Sequence, residues 1–159
     1  MKFLKALGWQ LLLLVPLFWL IELAQNQAYR LVLGDYGWHY PQSPHHWFSF
    51  LSLPSWGIAI TAMALVERHG ARPGQWREAW ACLVAGSVCW ALEWGNGWFH
   101  AEVLGAPLYV WPFSPLRYVG PEALIWWWGN AWLYRRLAPV VSPQRRCASC
   151  GADVGQLRA

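Results

Sequence analysis

The sequence predicts an all-α integral membrane protein: four transmembrane helices forming two tandem repeated hairpins, with irregular aromatic outer segments. Composition is the first reason. Hydrophobic residues make up 57% of the 159 residues and charged residues only 13%, where soluble domains contain about 25%. The chain also has 15 tryptophans, a residue that concentrates at membrane–water interfaces. Long apolar stretches and an internal repeat are the second and third reasons.

Four apolar stretches account for the predicted helices. Residues 4–24, which include LLLLVPLFWLI, and residues 47–66 are long enough to cross about 30 Å of hydrocarbon. Residues 80–98 form a third stretch, and residues 120–137 form a shorter, very aromatic fourth. Prolines inside the first two stretches are compatible with helices that lie in lipid.

The first stretch also has features of a secretory signal peptide, with Lys2 and Lys5 before the apolar run. Its apolar run is long, however, and no good Ala-x-Ala cleavage site follows it. We therefore expect it to be retained as the first span.

The basic residues predict the orientation. Ten of the 12 lysines and arginines lie before the first span, between the second and third, or after the fourth; Arg30 and Arg117 are the exceptions. The positive-inside rule then places both termini in the cytoplasm, in the cytoplasmic (inner) membrane. This distribution explains the net charge of +4, so we expect no nucleic-acid partner.

Residues 19–44 recur at a shift of 71 residues. The identities include a tryptophan, Glu22 with Glu93, the tripeptide Val-Leu-Gly, a proline and Ser-Pro. A shortening by four residues then aligns Pro54 with Pro121. Two copies with the same orientation are expected to be related by a pseudo-two-fold axis along the membrane normal.

These features divide the chain into a membrane domain, residues 1–140, and a cytoplasmic tail, residues 141–159. The first repeat covers about residues 4–69 and the second about residues 75–137. The outer segments, 31–46 and 101–118, contain prolines but many apolar residues. We expect each to fold onto the helices as a lid.

Polar residues within the apolar stretches predict a pocket below the outer face. On a helix, Glu93, Asn96 and His100 share one face. An ionisable group at membrane depth costs roughly 2–4 kcal/mol, so it normally faces the interior of the bundle and has a partner. The candidate catalytic acids are Glu93, Glu122 and Glu22. The candidate binding residues are polar or aromatic: Asn96, His100, Asn130, Asn26, Trp38, Tyr40, Tyr109 and Trp111.

A structural interpretation of the same residues remains open. Glu22 and Glu93 can lie in the headgroup layer, where they would cap helix ends. Asn96 and Asn130 can join helices through hydrogen bonds within the membrane.

Metal binding is a weaker hypothesis. The histidines of the outer segments lack ligand spacing such as His-x-x-x-His. The tail carries Cys147-x-x-Cys150-Gly, which has the form of half a zinc site. A dimer or a partner would have to supply two more ligands; the alternative is a disordered tail. Cys82 and Cys89 are expected to be core thiols.

One further pattern is an acid, then Leu-Gly, then aromatic-x-aromatic-Pro, then a proline at the start of the next helix. It resembles small polytopic membrane proteins of carotenoid metabolism, the lycopene-cyclase-like domains and the carotenoid hydratase group. Pro121-Glu122-Ala123 keeps one acid of the Pro-x-Glu-Glu of the former, and Glu93-Trp94-Gly95-Asn96 partly matches the Glu-x-x-Gly of the latter.

The resemblance implies acid catalysis on an isoprenoid or carotenoid-type lipid without a cofactor. A neutral carboxylic acid would protonate a double bond, and aromatic faces would stabilise the cation. The alternative is a non-enzymatic accessory subunit that packs pigment or lipid in a homodimer or larger membrane complex. A small carrier is a third, weaker hypothesis.

Overall fold

The computed structural model describes residues 2–70 and 75–142 of the chain. Among these residues a short 3-10 helix, Phe50–Ser52, precedes the second α-helix, and a π-helical turn, Phe99–Val103, extends the third. The described residues form no strand, and their four α-helices are α1, Lys2–Leu33; α2, Leu53–Gly70; α3, Gln75–Trp98; and α4, Ala123–Val141. The predicted all-α class is therefore confirmed for this part of the chain.

Two of the helical segments are long and apolar enough to cross a membrane, Phe3–Leu33 and Phe50–His69. In the most apolar 18 residues of each segment, only 17% of the first and 33% of the second are buried inside the protein. Side chains such as Leu12 and Leu20 are more than half exposed. A water-soluble protein would bury such surfaces, so these helices are typical of a membrane protein.

A core of apolar side chains joins all four helices. Phe18 from α1, Ile60 and Met63 from α2, Cys89 from α3 and Ala131 from α4 are almost completely buried in it. Because α1 contributes to this core, it is an integral part of the folded bundle. Cys82 and Cys89 are buried free thiols, as the sequence predicted.

The segments that connect the helices of each hairpin fold over one end of the bundle. We call residues 34–49 the first cap and residues 104–122 the second cap. A two-residue β-bridge joins them, with reciprocal backbone hydrogen bonds between His39 and Val110 of 2.9 and 2.8 Å. Their inner side chains and Ala123, the first residue of α4, form a second apolar cluster; the cap members are Trp38, Tyr40, Leu108, Tyr109, Trp111 and Val119. The caps are therefore packed lids, although Phe113 remains 73% exposed.

The helices end where the backbone requires glycine. Gly34 follows α1 with φ of +81°, and Gly105 follows the π-helical turn with φ of +65°. Glycine adopts this left-handed conformation without the steric cost of a side chain, which makes it the common residue after a helix C-terminus. Because the first such glycine is Gly34, α1 continues to Leu33, nine residues beyond the end of the first predicted span, 4–24. The added residues begin with Gln25, Asn26 and Gln27, which carry side-chain amides.

The second predicted span, 47–66, starts too early. Residues 47–49 still belong to the first cap, and the side chain of Ser49 accepts a hydrogen bond of 3.1 Å from the backbone N–H of Leu51. This capping interaction starts the 3-10 helix, which leads into α2 at Leu53.

Several contacts recur at a spacing of 71 residues. The indole N–H of Trp19 donates to the backbone oxygen of Ser49 at 2.9 Å, and that of Trp90 donates to the oxygen of Gly120 at 3.0 Å. The bridged residues of the two caps, His39 and Val110, are themselves 71 positions apart, and so are the two non-glycine residues with positive φ, His46 and Arg117.

The same spacing continues into the second helix of each hairpin. Trp56 and Trp127, also 71 positions apart, pack against each other in a tilted arrangement with ring centroids 5.1 Å apart. This contact keeps the spacing of 71 without the shortening by four residues that aligned Pro54 with Pro121. The two tryptophans are in register without it.

Candidate functional site

A pocket lies between the helix core and the two caps. It contains about 720 Å³ of empty space, counted with its open side. All four helices and both caps contribute to its wall. The wall is mostly apolar and aromatic, and its polar side chains are Glu22, Gln25, Tyr40, Ser52, Ser55, Glu93, Asn96, Tyr109 and Asn130.

Tryptophans line opposite sides of this pocket. The contacting pair of Trp56 and Trp127 lies on the side of the helix core. Trp38 and Trp111, with ring centroids 4.9 Å apart, lie on the side of the caps. A ligand in the pocket is therefore placed between aromatic faces, which attract positive charge as well as apolar surface.

Glu22, on α1, has a complete set of hydrogen-bond donors. Its Oε1 accepts a hydrogen bond from the hydroxyl of Tyr40, in the first cap. Its Oε2 accepts from the indole N–H of Trp56 at 2.5 Å and from the hydroxyl of Ser52 at 3.3 Å. The side chain of Glu22 is 9% exposed. This carboxyl group joins α1 to α2 and to the first cap.

Glu93, on α3, has fewer donors. Its Oε2 accepts a hydrogen bond of 2.5 Å from the indole N–H of Trp127, which is the counterpart of the bond from Trp56 to Glu22. Its Oε1 accepts no hydrogen bond from the side chains that the structure describes. The residue is also less buried than Glu22. Of the two carboxyl groups, Glu93 is the one with an oxygen free for a ligand.

The difference in hydrogen-bond donors between Glu22 and Glu93 follows from one pair of cap residues, Tyr40 and Trp111. Tyr40, which donates to Glu22, corresponds to Trp111 at the spacing of 71. The indole N–H of Trp111 lies near the carboxyl group of Glu93 but outside hydrogen-bond geometry. The replacement of a phenol by an indole therefore leaves Glu93 without the donor that Glu22 receives from its own cap.

Tyr109, in the second cap, fixes the backbone beneath Glu93. Its hydroxyl donates a hydrogen bond of 2.5 Å to the backbone oxygen of Glu93. Burial raises the pKa of Tyr109 well above its usual range, so the phenol stays protonated and continues to donate. Tyr109 is thus a residue that positions α3 against the cap.

Two hydrogen bonds near the pocket connect helices. The amide of Asn96 donates to the hydroxyl of Ser55 at 2.9 Å, joining α3 to α2. The amide of Gln25 donates to Asn130 at 3.3 Å, joining α1 to α4. Asn96 and Asn130 therefore line the pocket and also join helices.

Three predicted site residues do not line this pocket. Asn26 is completely buried, and its amide binds the backbone of the first cap at four points: the oxygens of Trp38 and Trp47 and the N–H groups of Gly37 and Trp38. The structure therefore places Asn26 outside the pocket, with both ends of its amide bound to the first cap.

His100 and Glu122 are the other two. His100 lies in the π-helical turn beyond α3 and is not among the residues that line the pocket. Glu122 is exposed at the start of α4 and lines a separate shallow pocket beside Tyr29 and Phe113. The structure does not bring Glu122 together with Glu22 and Glu93.

Sequence reasoning missed the tryptophans that bind the two acids. Trp56 and Trp127 each follow their glutamate by 34 residues. The spacing of 71, applied without the shortening, would have matched them. Ser52, Ser55 and Gln25 were also missed, since short polar side chains are common in any helix bundle.

The described residues contain no group of three or more potential metal ligands. His45 and His46 are exposed in the first cap, and His100 lies in the other half of the chain. Cys147 and Cys150 lie outside the described residues.

The fold and the pocket define a class: an all-helical protein with membrane-type helices and a carboxyl-bearing aromatic pocket. A comparison with protein-family models, curated proteins and solved structures finds no match for the chain.

Proposed function

We propose that the protein crosses the membrane four times, as two duplicated hairpins with both termini in the cytoplasm. The contacts that recur at a spacing of 71 residues support the duplication, because hydrogen bonds, a cap bridge and unusual backbone angles all follow the same register. The exposed apolar flanks of α1 and α2 support the crossing of the membrane. The distribution of basic residues supports the orientation. The caps would then face the outer side.

We further propose that the pocket binds an isoprenoid-type lipid and acts on it by acid catalysis, with Glu93 as the proton donor. One observation carries this proposal: Glu93 has a carboxyl oxygen that accepts no hydrogen bond from the described side chains, in a pocket walled by tryptophans. Removal from water favours the neutral form of a carboxylic acid, which is the form that can give up a proton. The resemblance to carotenoid-metabolism proteins supports the choice of an isoprenoid.

The reaction is redox-neutral and balances within the pocket. The acidic proton of Glu93 moves to one carbon of a double bond, and the other carbon becomes a carbocation while Glu93 becomes a carboxylate. The faces of Trp56 and Trp127 stabilise the cation. Loss of a proton from a neighbouring carbon to the carboxylate then gives a rearranged or cyclised polyene and restores Glu93.

The test uses the full-length protein in liposomes made in D₂O, with lycopene as the probe. Wild-type protein is expected to introduce deuterium into the polyene, measured by mass spectrometry. Glu93→Gln is expected to lower this incorporation by at least about a hundredfold, because an amide cannot donate a catalytic proton. Undiminished incorporation by Glu93→Gln would contradict the assigned role.

The matched control is Glu78→Gln on the same helix. Glu78 forms an ion pair of 3.0 Å with Arg136 on a partly exposed surface and does not line the pocket. Its substitution is expected to leave deuterium incorporation unchanged. Thermal unfolding of both variants separates a loss of catalysis from a loss of folded protein.

A second function, that of a non-enzymatic subunit packing pigment or lipid in a larger membrane complex, is favoured by Glu22. Its complete set of donors is typical of a structural carboxyl group. Binding of lycopene without any deuterium incorporation, and with equal affinity in Glu93→Gln, would select this function instead.

A further inference from the structure

The indole N–H of Trp111 is a buried donor that lacks a partner among the described protein atoms. It is the only buried side-chain nitrogen or oxygen of the described residues in that condition. Trp111 itself is 4% exposed and lines the pocket. Buried donors in proteins are nearly always hydrogen-bonded, so we expect this N–H to have an acceptor other than the described protein atoms.

An acceptor and a donor occur side by side at this point. The N–H of Trp111 lies near Glu93, whose Oε1 accepts no bond from a described side chain. In the first repeat the equivalent position is filled by a hydroxyl oxygen: Tyr40 donates from there to Glu22. In the second repeat, the described residues provide no acceptor for the N–H of Trp111.

We propose that a hydroxyl group of the ligand occupies this place. Its oxygen accepts a hydrogen bond from the N–H of Trp111, and its O–H donates a hydrogen bond to Oε1 of Glu93. The preferred ligand is then an isoprenoid alcohol, and lycopene, which has no hydroxyl group, is expected to bind the same pocket less tightly. The inference rests on the proposed lipid pocket and adds the substrate class. A water molecule bound beside a hydrocarbon ligand would supply the same chemistry from a second source.

The test measures binding of two tritiated probes to the full-length protein in lipid nanodiscs, with empty nanodiscs subtracted. One probe is geranylgeraniol, and the other is the matching hydrocarbon, in which hydrogen replaces the hydroxyl group. Trp111→Phe removes the N–H but keeps an aromatic ring. Trp132→Phe, at a half-exposed position on α4, makes the same change away from the pocket.

Trp111→Phe is expected to weaken binding of geranylgeraniol about five- to tenfold and that of the hydrocarbon less than about twofold, as for one lost hydrogen bond. Trp132→Phe is expected to change neither. Equal weakening of both probes would assign the oxygen to a bound water molecule instead of the ligand. No weakening of either probe would overturn the oxygen site.

A second variant keeps the test decisive if Trp111→Phe folds poorly. Trp111→Tyr introduces the phenol that the first repeat has at this place, so it is expected to donate to Glu93 and remove the preference for the alcohol. A retained preference would overturn the inference. Failure of the wild-type protein to bind either probe would instead overturn the lipid pocket itself, and this inference with it.

Discussion

The indole N–H of Trp127, on α4, donates a hydrogen bond of 2.5 Å to a carboxyl oxygen of Glu93, on α3. The same bond, of the same length, joins Trp56 to Glu22 in the other hairpin. Each hairpin is thus joined near its caps by an indole and a carboxyl group. The two bonds differ in what else surrounds the acid, and the first prediction follows from that difference.

Trp127→Phe is expected to affect the site more than Trp56→Phe. Glu93 loses the one side-chain hydrogen bond that it accepts among the described residues in the first variant, whereas Glu22 keeps Tyr40 and Ser52 in the second. We expect the first change to lower the free energy of unfolding by about 1–3 kcal/mol and the second by about 1 kcal/mol. Thermal unfolding in detergent measures both. Equal losses would show that the extra donors of Glu22 have no effect.

Asn26→Ala is expected to detach the first cap. The substitution removes a buried amide that bonds to cap backbone groups at four points, so we expect a loss of about 3 kcal/mol or more and rapid cleavage within the cap. Limited proteolysis of intact proteoliposomes checks this. Gln27→Ala, at the next and only partly buried position, is the control and should leave cleavage slow.

Gly86→Ala is expected to separate α3 from α4. A Cβ atom at Gly86 would lie 2.8 Å from the backbone of Trp127 and 2.6 Å from the ring of Trp128, so the helices must move apart. Overpacking of this kind costs about 1–3 kcal/mol.

Gly95→Ala on the same helix is the matched control, since a Cβ atom there meets nothing within 4 Å. Alanine favours the helix by up to about 1 kcal/mol over glycine, so this variant is expected to be neutral or more stable. Thermal unfolding of the two variants compares them directly. A stable Gly86→Ala would mean that α3 and α4 pack less closely than described.

Cysteine labelling tests the proposed topology. In a background with the native cysteines replaced by serine, Phe113→Cys, in the exposed part of the second cap, is expected to react with an impermeant thiol reagent added outside. Arg72→Cys, between the second and third predicted spans, is expected to react only after the membrane is opened. Labelling of position 72 from outside would contradict cytoplasmic termini.

The sequence by itself determined the helical class, because long apolar stretches in a poorly charged chain leave few other structures available. It also identified Glu22 and Glu93 as a related pair, since the surrounding residues recur at a fixed spacing. Gly34 and Gly105, which follow α1 and the π-helical turn, were part of the recurring Val-Leu-Gly pattern, and both have positive φ, which favours glycine.

Only the tertiary structure decided which polar residues share the pocket. Asn26 binds the cap, Glu122 lies at an exposed helix start, and the donors of the two acids come from residues 34 positions away. Such partners depend on how helices and caps pack, which short-range periodicity does not encode. The unequal surroundings of Glu22 and Glu93 have the same origin: the difference between Tyr40 and Trp111 matters only because the fold brings each beside its acid.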